Sequence, residues 1–545
     1  MRKARTVGRG TSLNNVSLVS NYLTIFILTA IVAGLIASCG GGSDPSSSSD
    51  PVTVSPGSVS PTGNPLVAQY SITTGRGAKV KVEFGTDTSY PFHTSTVSAP
   101  ANGGLVNVLV AGMKMSTTYH MRAVVLYNDG AQAVDVDHVF TTGAPEQQLV
   151  PAVQAPTVQV SGSSLTPSPG IEMLSLVFNG SAQNNLFQVA TEDLLGNLIW
   201  YYNDPAIQPP YIPGPVKLLN DGSIVIDYSN ITQTGLDSIL RDVDLAGNTN
   251  WQITAQDLAQ SLAAKGCFTG ATVVGSHHDF AELPNGHLII LVSLQQSFTN
   301  LTGYPGTTVV TGDGLVDLDQ NRNPAWCWSE FDHLDVNRHP MNFPDWTHTN
   351  AVFYSPRDGN LIISIRHQNW LIKINYNNGA GDGSIIWHLG YQGDFTLQGG
   401  IAPADWFYAQ HGPSIISDKG KESLTLGIFD NGNDRVVDNN GDLCGTSGQI
   451  ACLSRATVYQ LDEKAMTATL SFHYDLPYFS GFGGNVEQLA NSDLEFDAAE
   501  SSASDGTMEE LTYGTDPQLV WQLQVVGQWA YRGFRMPSLY PGVQW

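Results

Sequence analysis

Asp193–Trp200 reads DLLGNLIW, and Asp244–Trp251 repeats it as DLAGNTNW. Both fit Asp-x-x-Gly-x-x-x-Trp: an acid and a glycine for a tight turn, then a strand that ends on an indole. Looser copies end at Trp328 (DQNRNPAWCW), Trp387 (GDGSIIW), Phe472 (DEKAMTATLSF) and Trp521 (TDPQLVW). A second recurring element is a turn running into an apolar strand: Asn220–Ile226 (NDGSIVI), Pro284–Ile290 (PNGHLII) and Asp358–Ile363 (DGNLII). Strand repeats of roughly 50 to 85 residues have the size of propeller blades with insertions. Six aromatic ends predict an all-β, six-bladed β-propeller over residues 157–545. A ring needs both ends of the chain in one sheet, so strands within Tyr531–Leu539 are expected to pair with strands within Ile171–Trp200.

Composition agrees with an all-β chain. Of 545 residues, 41% are hydrophobic and only 13% charged, with 55 Gly and 29 Pro to serve short turns. The formal net charge of −25 argues against nucleic acid as a partner. An anionic ligand must then be held by a local cluster of donors working against the field of the whole molecule.

Residues 1–39 read as an export signal to be set apart from the fold. Arg2, Lys3, Arg5 and Arg9 are its basic start, and Tyr22–Ser38 is apolar. Ile36-Ala37-Ser38-Cys39 looks like a bacterial lipobox, which implies cleavage before Cys39 and lipid attachment to its thiol; an ordinary cleaved signal peptide or an uncleaved membrane anchor is the alternative. Gly/Ser-rich residues 40–50 read as a tether, giving an exported protein of the cell envelope, lipid-anchored to the outer membrane, with no other membrane contact. Residues 51–146 read as a small β-sandwich in which Leu109–Met113 and Thr118-Tyr119 look like the tyrosine corner of a fibronectin type III domain. Residues 147–156 form a linker. Cys267, Cys327, Cys444 and Cys452 are an even set in an exported chain, hence disulfide candidates. Cys444–Cys452 would close a short loop, leaving Cys267–Cys327; three connectivities remain open.

Loops from every blade of a propeller converge on its axis, so site candidates stand just before each innermost apolar strand. That rule returns His277-His278-Asp279, His348-Thr349-Asn350, Gln410-His411-Gly412, Gly481–Asn485 and Tyr531-Arg532. Three successive units thus begin with histidine. Arg366 closes the hairpin that follows His348, while His367 beside it is expected on the opposite strand face. Asp430–Asp434 and Asp438–Asp442 are calcium-like in composition but lack EF-hand spacing, and turn chemistry accounts for them. Three histidines could bind zinc, yet Arg366 and Asn350 suit an oxyanion better than a second cation. No HExxH pair, phosphate loop GxxxxGK[ST] or GxSxG elbow occurs.

Leu283–Gly286 (LPNG) after His277-His278-Asp279, Asp345–Asn350 (DWTHTN), Ser364–Gln368 (SIRHQ), Gln410-His411 and Phe429–Gly432 (FDNG) resemble the bacterial arylsulfate sulfotransferase family, in the family's order. The resemblance implies an exported six-bladed propeller behind a β-sandwich, moving a sulfuryl group from an aryl sulfate to a phenol with no nucleotide donor and no cofactor. It implies that His411 is the nucleophile of a ping-pong reaction through a sulfohistidine. His348, Arg366 and one of the His277/His278 pair, His278 being favoured, would complete the catalytic set. Asn350, His277 and Tyr531 are the expected substrate-binding residues, with Phe407 and Tyr408 as further stacking candidates. The fibronectin-like sandwich and the lipobox depart from the family pattern, which leaves attachment and oligomeric state open, a homodimer included. Two other classes compete: a metal-dependent sulfate or phosphate ester hydrolase, and a non-catalytic surface propeller that binds a sulfated ligand.

Overall fold

The computed structural model describes residues 54–145, 156–177, 187–207, 211–230 and 237–545, the last range without 419, 421 and 447. Cys39, its signal, the tether and all but the last residue of the linker lie outside these ranges.

The repeat motif folds as its chemistry requires. The Asp193 carboxylate accepts the N–H groups of Leu195 (3.0 Å) and Asn197 (2.9 Å), and Gly196 takes φ +77°, turning the chain back into strand Leu198–Tyr202. Asp244, Asn248 and Gly247 (φ +85°) repeat the turn. In the third copy Asp319 caps Asn321 and Asn323, and Arg322 takes the left-handed position at φ +66°.

Six sheets follow in chain order among the described residues. The first holds Ile171–Val177, Val189–Asp193 and Leu198–Tyr202. The second runs from Tyr211–Leu218 to Thr249–Thr254, the third from Thr272–Glu282 to Pro324–Ser329. The fourth runs from Thr349–Ser355 to Ile385–Gly390, the fifth from His411–Ser417 to Thr467–Asp475, and the sixth from Asn485–Gln488 to Leu519–Val526. C-terminal strand Trp529–Met536 pairs with Ile171–Val177 and so joins the first sheet, as the sequence predicts. Thr157–Gly162 pairs with Leu519–Val526 of the sixth, a second tie between the chain ends that the repeat did not reveal.

Each repeat aromatic reaches the next sheet. Trp200 Nε1 donates to Leu245 O (2.8 Å), Arg322 lies 4.7 Å over the Trp251 ring, and Trp328 Nε1 donates to Gly383 O (2.8 Å). Trp387 Nε1 donates to Glu463 (2.9 Å), the Phe472 and Tyr513 rings lie 5.5 Å apart, and Trp521 Nε1 donates to Leu194 O of the first sheet (2.9 Å). Apolar faces fill the space between sheets, as where Ile289, Leu291 and Leu315 of the third meet Ile363, Trp370 and Ile372 of the fourth. Burying each such side chain stabilises the fold by about 1.5–3 kcal/mol.

The only α-helix among the described residues, Ala255–Lys265, was not expected from the strand pattern. Thr254 and Asp257 form a capping box at its start, and Gly266 ends it at φ +82°. Cys267 just beyond it is bonded to Cys327, and Cys444 to Cys452, the pairing reached above by loop length and elimination. Both bonds accord with export to an oxidising compartment. No helix among the described residues is long and apolar enough to cross a membrane.

Upstream, Ser58–Pro61, Ala68–Thr74 and Gly104–Val110 form one small sheet. Ala78–Gly85 and Thr118–Tyr127 centre another, with short strands on their flanks. Apolar residues alternate inward along both sheets, and Tyr119 Oη accepts the N–H of Lys114 (3.0 Å). This sandwich belongs to the same compact unit as the six sheets. Tyr540 Oη accepts the N–H of Ala111 (2.7 Å), and Asn64 Nδ2 donates to Tyr201 O (3.0 Å). Trp545 packs against Phe84 and Phe92 and over Gly112, where a Cβ would stand 2.2 Å from the indole.

Candidate active site

His348 and His411 stand where inner strands begin, whereas His277 and His278 lie midway along theirs instead of before it, and local backbone departures turn all of them out of the ladder. In Thr272–Glu282 the pairing jumps between Ser276 and Phe280, so His277–Asp279 form a bulge, with His278 at φ +58°. His348 at φ +51° immediately precedes strand Thr349–Ser355. His411 opens its strand, and Gly412 after it sits at φ +41° against the next sheet, 2.3 Å from Gly484 O for any added Cβ. Left-handed backbone at a non-glycine residue is costly and clusters where function requires a particular aim.

These segments bring together His278, His348, His411 and Tyr531. The ring centroids of His278 and His348 are 4.9 Å apart, and Tyr531 lies 6.1 Å from His278 and 6.4 Å from His411. Burial pushes the Tyr531 phenol up to about 12. Phe407 and Tyr408 do not join them: both are buried between the fourth and fifth sheets, where their apolar bulk fills the core. His277 lies behind His278, with Nδ1 on His278 Nδ1 (2.6 Å) and Nε2 against Asp313 (3.0 Å). Both ring nitrogens are engaged, so His277 has none to offer a substrate.

His411 is almost fully buried, and its Nδ1 lies 2.7 Å from Asn431 Oδ1. Asn431 Nδ2 donates to Ser480 O (2.8 Å) and Gly483 O (3.2 Å), which leaves the amide oxygen to face the imidazole. His411 therefore carries its proton on Nδ1 and a lone pair on Nε2. Burial first, then the nearby Arg366, hold its pKa well below the usual histidine range. Asn431 was read from sequence as turn chemistry; only the fold sets it against a residue 20 positions away.

His348 Nδ1 lies 2.7 Å from the Asp345 carboxylate, three residues back. His367 stacks on His348 at 4.6 Å instead of pointing away, because the strand stops at Ile365 and Arg366–Gln368 form a single 3-10 turn. Arg366 donates to Gly481 O (3.1 Å) and to His367 Nε2 (2.7 Å), while its Nε is buried without a partner. Burial lowers its pKa, and its hydrogen bonds go to neutral groups, a setting that calls for an anion. Arg532, which the inner-strand rule named without a role, donates to Asn350 O (2.6 Å) and pairs with Asp279 (3.2 Å), tying three sheets together. Asn350 Nδ2 donates to Gln410 O (2.7 Å), so the Asn350 amide braces the next strand start.

Asp345, His348 and His367 are the one group among the described residues whose ligand-type atoms converge, within 4.8 Å, as a metal would need. Its donor set does not fit. The Arg366 guanidinium can only donate, so His367 Nε2 accepts and Nδ1 carries the proton, given to Asp345 O (2.7 Å). That leaves no lone pair on the nitrogen facing the group, with a guanidinium alongside.

Imidazoles turned out of the sheets beside a buried guanidinium, on an all-β scaffold of repeated sheets, make a site for handling an anionic group. The model of the arylsulfotransferase (ASST) family matches residues 167–532, a span that contains every residue of this site. The chain belongs to that family, and with it is an enzyme that transfers sulfuryl groups. No curated protein matches it. Among solved structures, a periplasmic gluconolactonase of Pseudomonas aeruginosa is 8% identical, covering 66% of this chain and 97% of that one at a TM-score of 0.36. A putative 6-phosphogluconolactonase of Bacteroides fragilis is 12% identical over 68% and 100%, at 0.35. A Synechocystis apocarotenoid oxygenase is 11% identical over 89% and 95%, at 0.30.

Proposed function

We propose that sulfuryl transfer proceeds by a ping-pong route in which His411 Nε2 attacks the sulfur of an aryl sulfate, forming a sulfohistidine and a phenol, and a phenolic acceptor then takes the group. The observation that carries this reading is the Asn431–His411 hydrogen bond: it orients a neutral imidazole with its lone pair on the opposite nitrogen. A covalent relay splits one difficult transfer into two easier ones. Arg366 offers its remaining N–H groups to the sulfuryl oxygens, where negative charge persists in the transition state. His278 and the Asp345-oriented His348 exchange protons with the departing and arriving phenol oxygens, a contribution of about 10²–10⁴ in rate. The Tyr531 ring borders the aryl group. No cofactor enters the scheme.

The scaffold reading goes with it. Six sheets, six aromatic latches and the return of Trp529–Met536 to the first sheet support a six-bladed propeller over 157–545. Its N-terminal sandwich, 51–146, is read as fibronectin type III-like on the strength of its strand order and the Tyr119 corner. Lipid attachment at Cys39 would hold the enzyme at the outer membrane.

Incubation with 4-nitrophenyl sulfate and no acceptor, followed by peptide mass spectrometry, tests the mechanism. A labile gain of one sulfuryl group on the peptide containing His411 is expected. Phenol-dependent turnover by a His411→Ala variant would overturn the assignment.

A further inference from the structure

The bulge places a second imidazole directly behind the first, and a carboxylate behind that. His277 Nδ1 and His278 Nδ1 stand 2.6 Å apart, close enough that one nitrogen must hold a proton and the other a lone pair. On its far side His277 Nε2 lies 3.0 Å from Asp313 Oδ1. Asp313 is itself fixed: its Oδ2 accepts the N–H of Thr349 (2.7 Å) and the hydroxyl of Thr347 (2.8 Å), and its N–H goes to Glu330 (3.1 Å). Thr347 and Thr349 flank His348 at the start of the fourth sheet, and Glu330 follows the last strand of the third.

We propose that Asp313, His277 and His278 form a proton relay that lets His278 act as acid and base for the phenol oxygen, with His277 as its positioning residue and proton store. The proposal rests on the reading of His278 above as the group that meets that oxygen. At rest His277 is an imidazolium, its Nε2 ion-paired with Asp313 Oδ1 at 3.0 Å and its Nδ1–H donated to His278, which is neutral with its proton on Nε2. When the S–O bond of the donor breaks, His278 Nε2–H passes its proton to the departing phenolate, and His277 Nδ1–H moves to His278 Nδ1. Both rings are then neutral. In the second half-reaction the acceptor phenol returns a proton to His278 Nε2, and the Nδ1 proton goes back to His277. One proton leaves and one returns per cycle, and His278 is never required to exist as a free cation.

The electrostatics agree. Burial lowers the His277 pKa, but Asp313, Asp227 and Glu330, from three strands or turns around it, outweigh that and raise it overall. Burial lowers the His278 pKa far more, aided by His277, His348, His411 and Arg532. An imidazole that resists protonation is a poor acid alone. Backed by an imidazolium at hydrogen-bond distance, it can give a proton while receiving one.

Leaving-group dependence tests the relay. In His277→Gln, whose amide can hold His278 but cannot pass a proton, transfer from 4-nitrophenyl sulfate should fall less than about threefold. Its phenolate leaves without needing protonation. Transfer from unsubstituted phenyl sulfate should fall at least about thirtyfold. Asp313→Asn should show the same selectivity. Equal losses with both donors, or none with either, would overturn the relay and leave His277 a packing residue. Nitrogen-15 NMR of histidine-labelled wild type needs no variant: His277 should be doubly protonated at neutral pH, and a neutral His277 refutes the proposal. Wild type that fails to sulfurylate His411 would instead sink the underlying mechanism, a distinct outcome.

Discussion

His411, at the start of an inner strand, and His277, in a bulge midway along another, are both buried histidines, yet the fold treats them in opposite ways. His411 rests on an amide, Asn431, with guanidinium charge nearby, and is held neutral. His277 rests on a carboxylate, Asp313, with Asp227 and Glu330 around it, and its affinity for a proton is raised. Burial lowers the proton affinity of both rings, and the charge of the partners decides which of them overcomes it. A nucleophile needs a lone pair and a proton store needs a charge.

The largest expected break in this contrast is His411→Ala, which should cost a thousandfold or more in sulfuryl transfer, on the order of other lost nucleophiles, with the fold intact by circular dichroism. Asn431→Asp should convert His411 toward the His277 condition. A carboxylate there raises the imidazole pKa, so the acid limb of the 4-nitrophenyl sulfate rate should move to higher pH. Loss should reach roughly thirtyfold at pH 6 and shrink at pH 8; an unmoved pH profile would count against the amide's role. Asp345→Asn frees the tautomer of His348 and should lower turnover by roughly ten- to a hundredfold, with KM less affected than kcat.

Stability supplies a smaller test. Burial, with His348 next, pushes His367 down to about 4. The unfolded imidazole binds a proton below pH 6.5 and the folded one does not, so this contribution is complete above 6.5 and is lost as pH falls toward 4. The difference corresponds to about 3 kcal/mol, with His278 and His411 acting in the same direction. Thermal melts should show that acid loss, and His367→Gln should flatten it. The smallest effect belongs to the outer latches. Trp521→Phe removes one hydrogen bond to Leu194 O, which should cost about 1 kcal/mol and lower Tm by only a degree or two.

Much of the scaffold was legible because it repeats. Asp193 and Gly196 make a turn from their own side chains and backbone, so the motif is local and can be read locally. The inner-strand rule also found His348 and His411, because a strand start is visible as the edge of an apolar run; it named His278 too, although that residue lies at a bulge inside its strand and not before it. Their partners were not visible. Asp313 meets His277 across a sheet, Asn431 meets His411 from the neighbouring strand, and Arg532 comes from the other end of the chain. His367 was misplaced because alternation predicts a strand where the chain makes a 3-10 turn. Phe407 and Tyr408 look like loop aromatics, but the core between two sheets takes them.

The amino-acid sequence by itself determined the all-β repeat, the pairing of the chain's ends and the strand starts at His348 and His411, since these follow from short-range periodicity and turn chemistry. Only the tertiary structure decided which of the site's histidines is neutral and which shares a proton. Ionisation depends on burial and on charges brought from distant positions, and no local pattern encodes that distance.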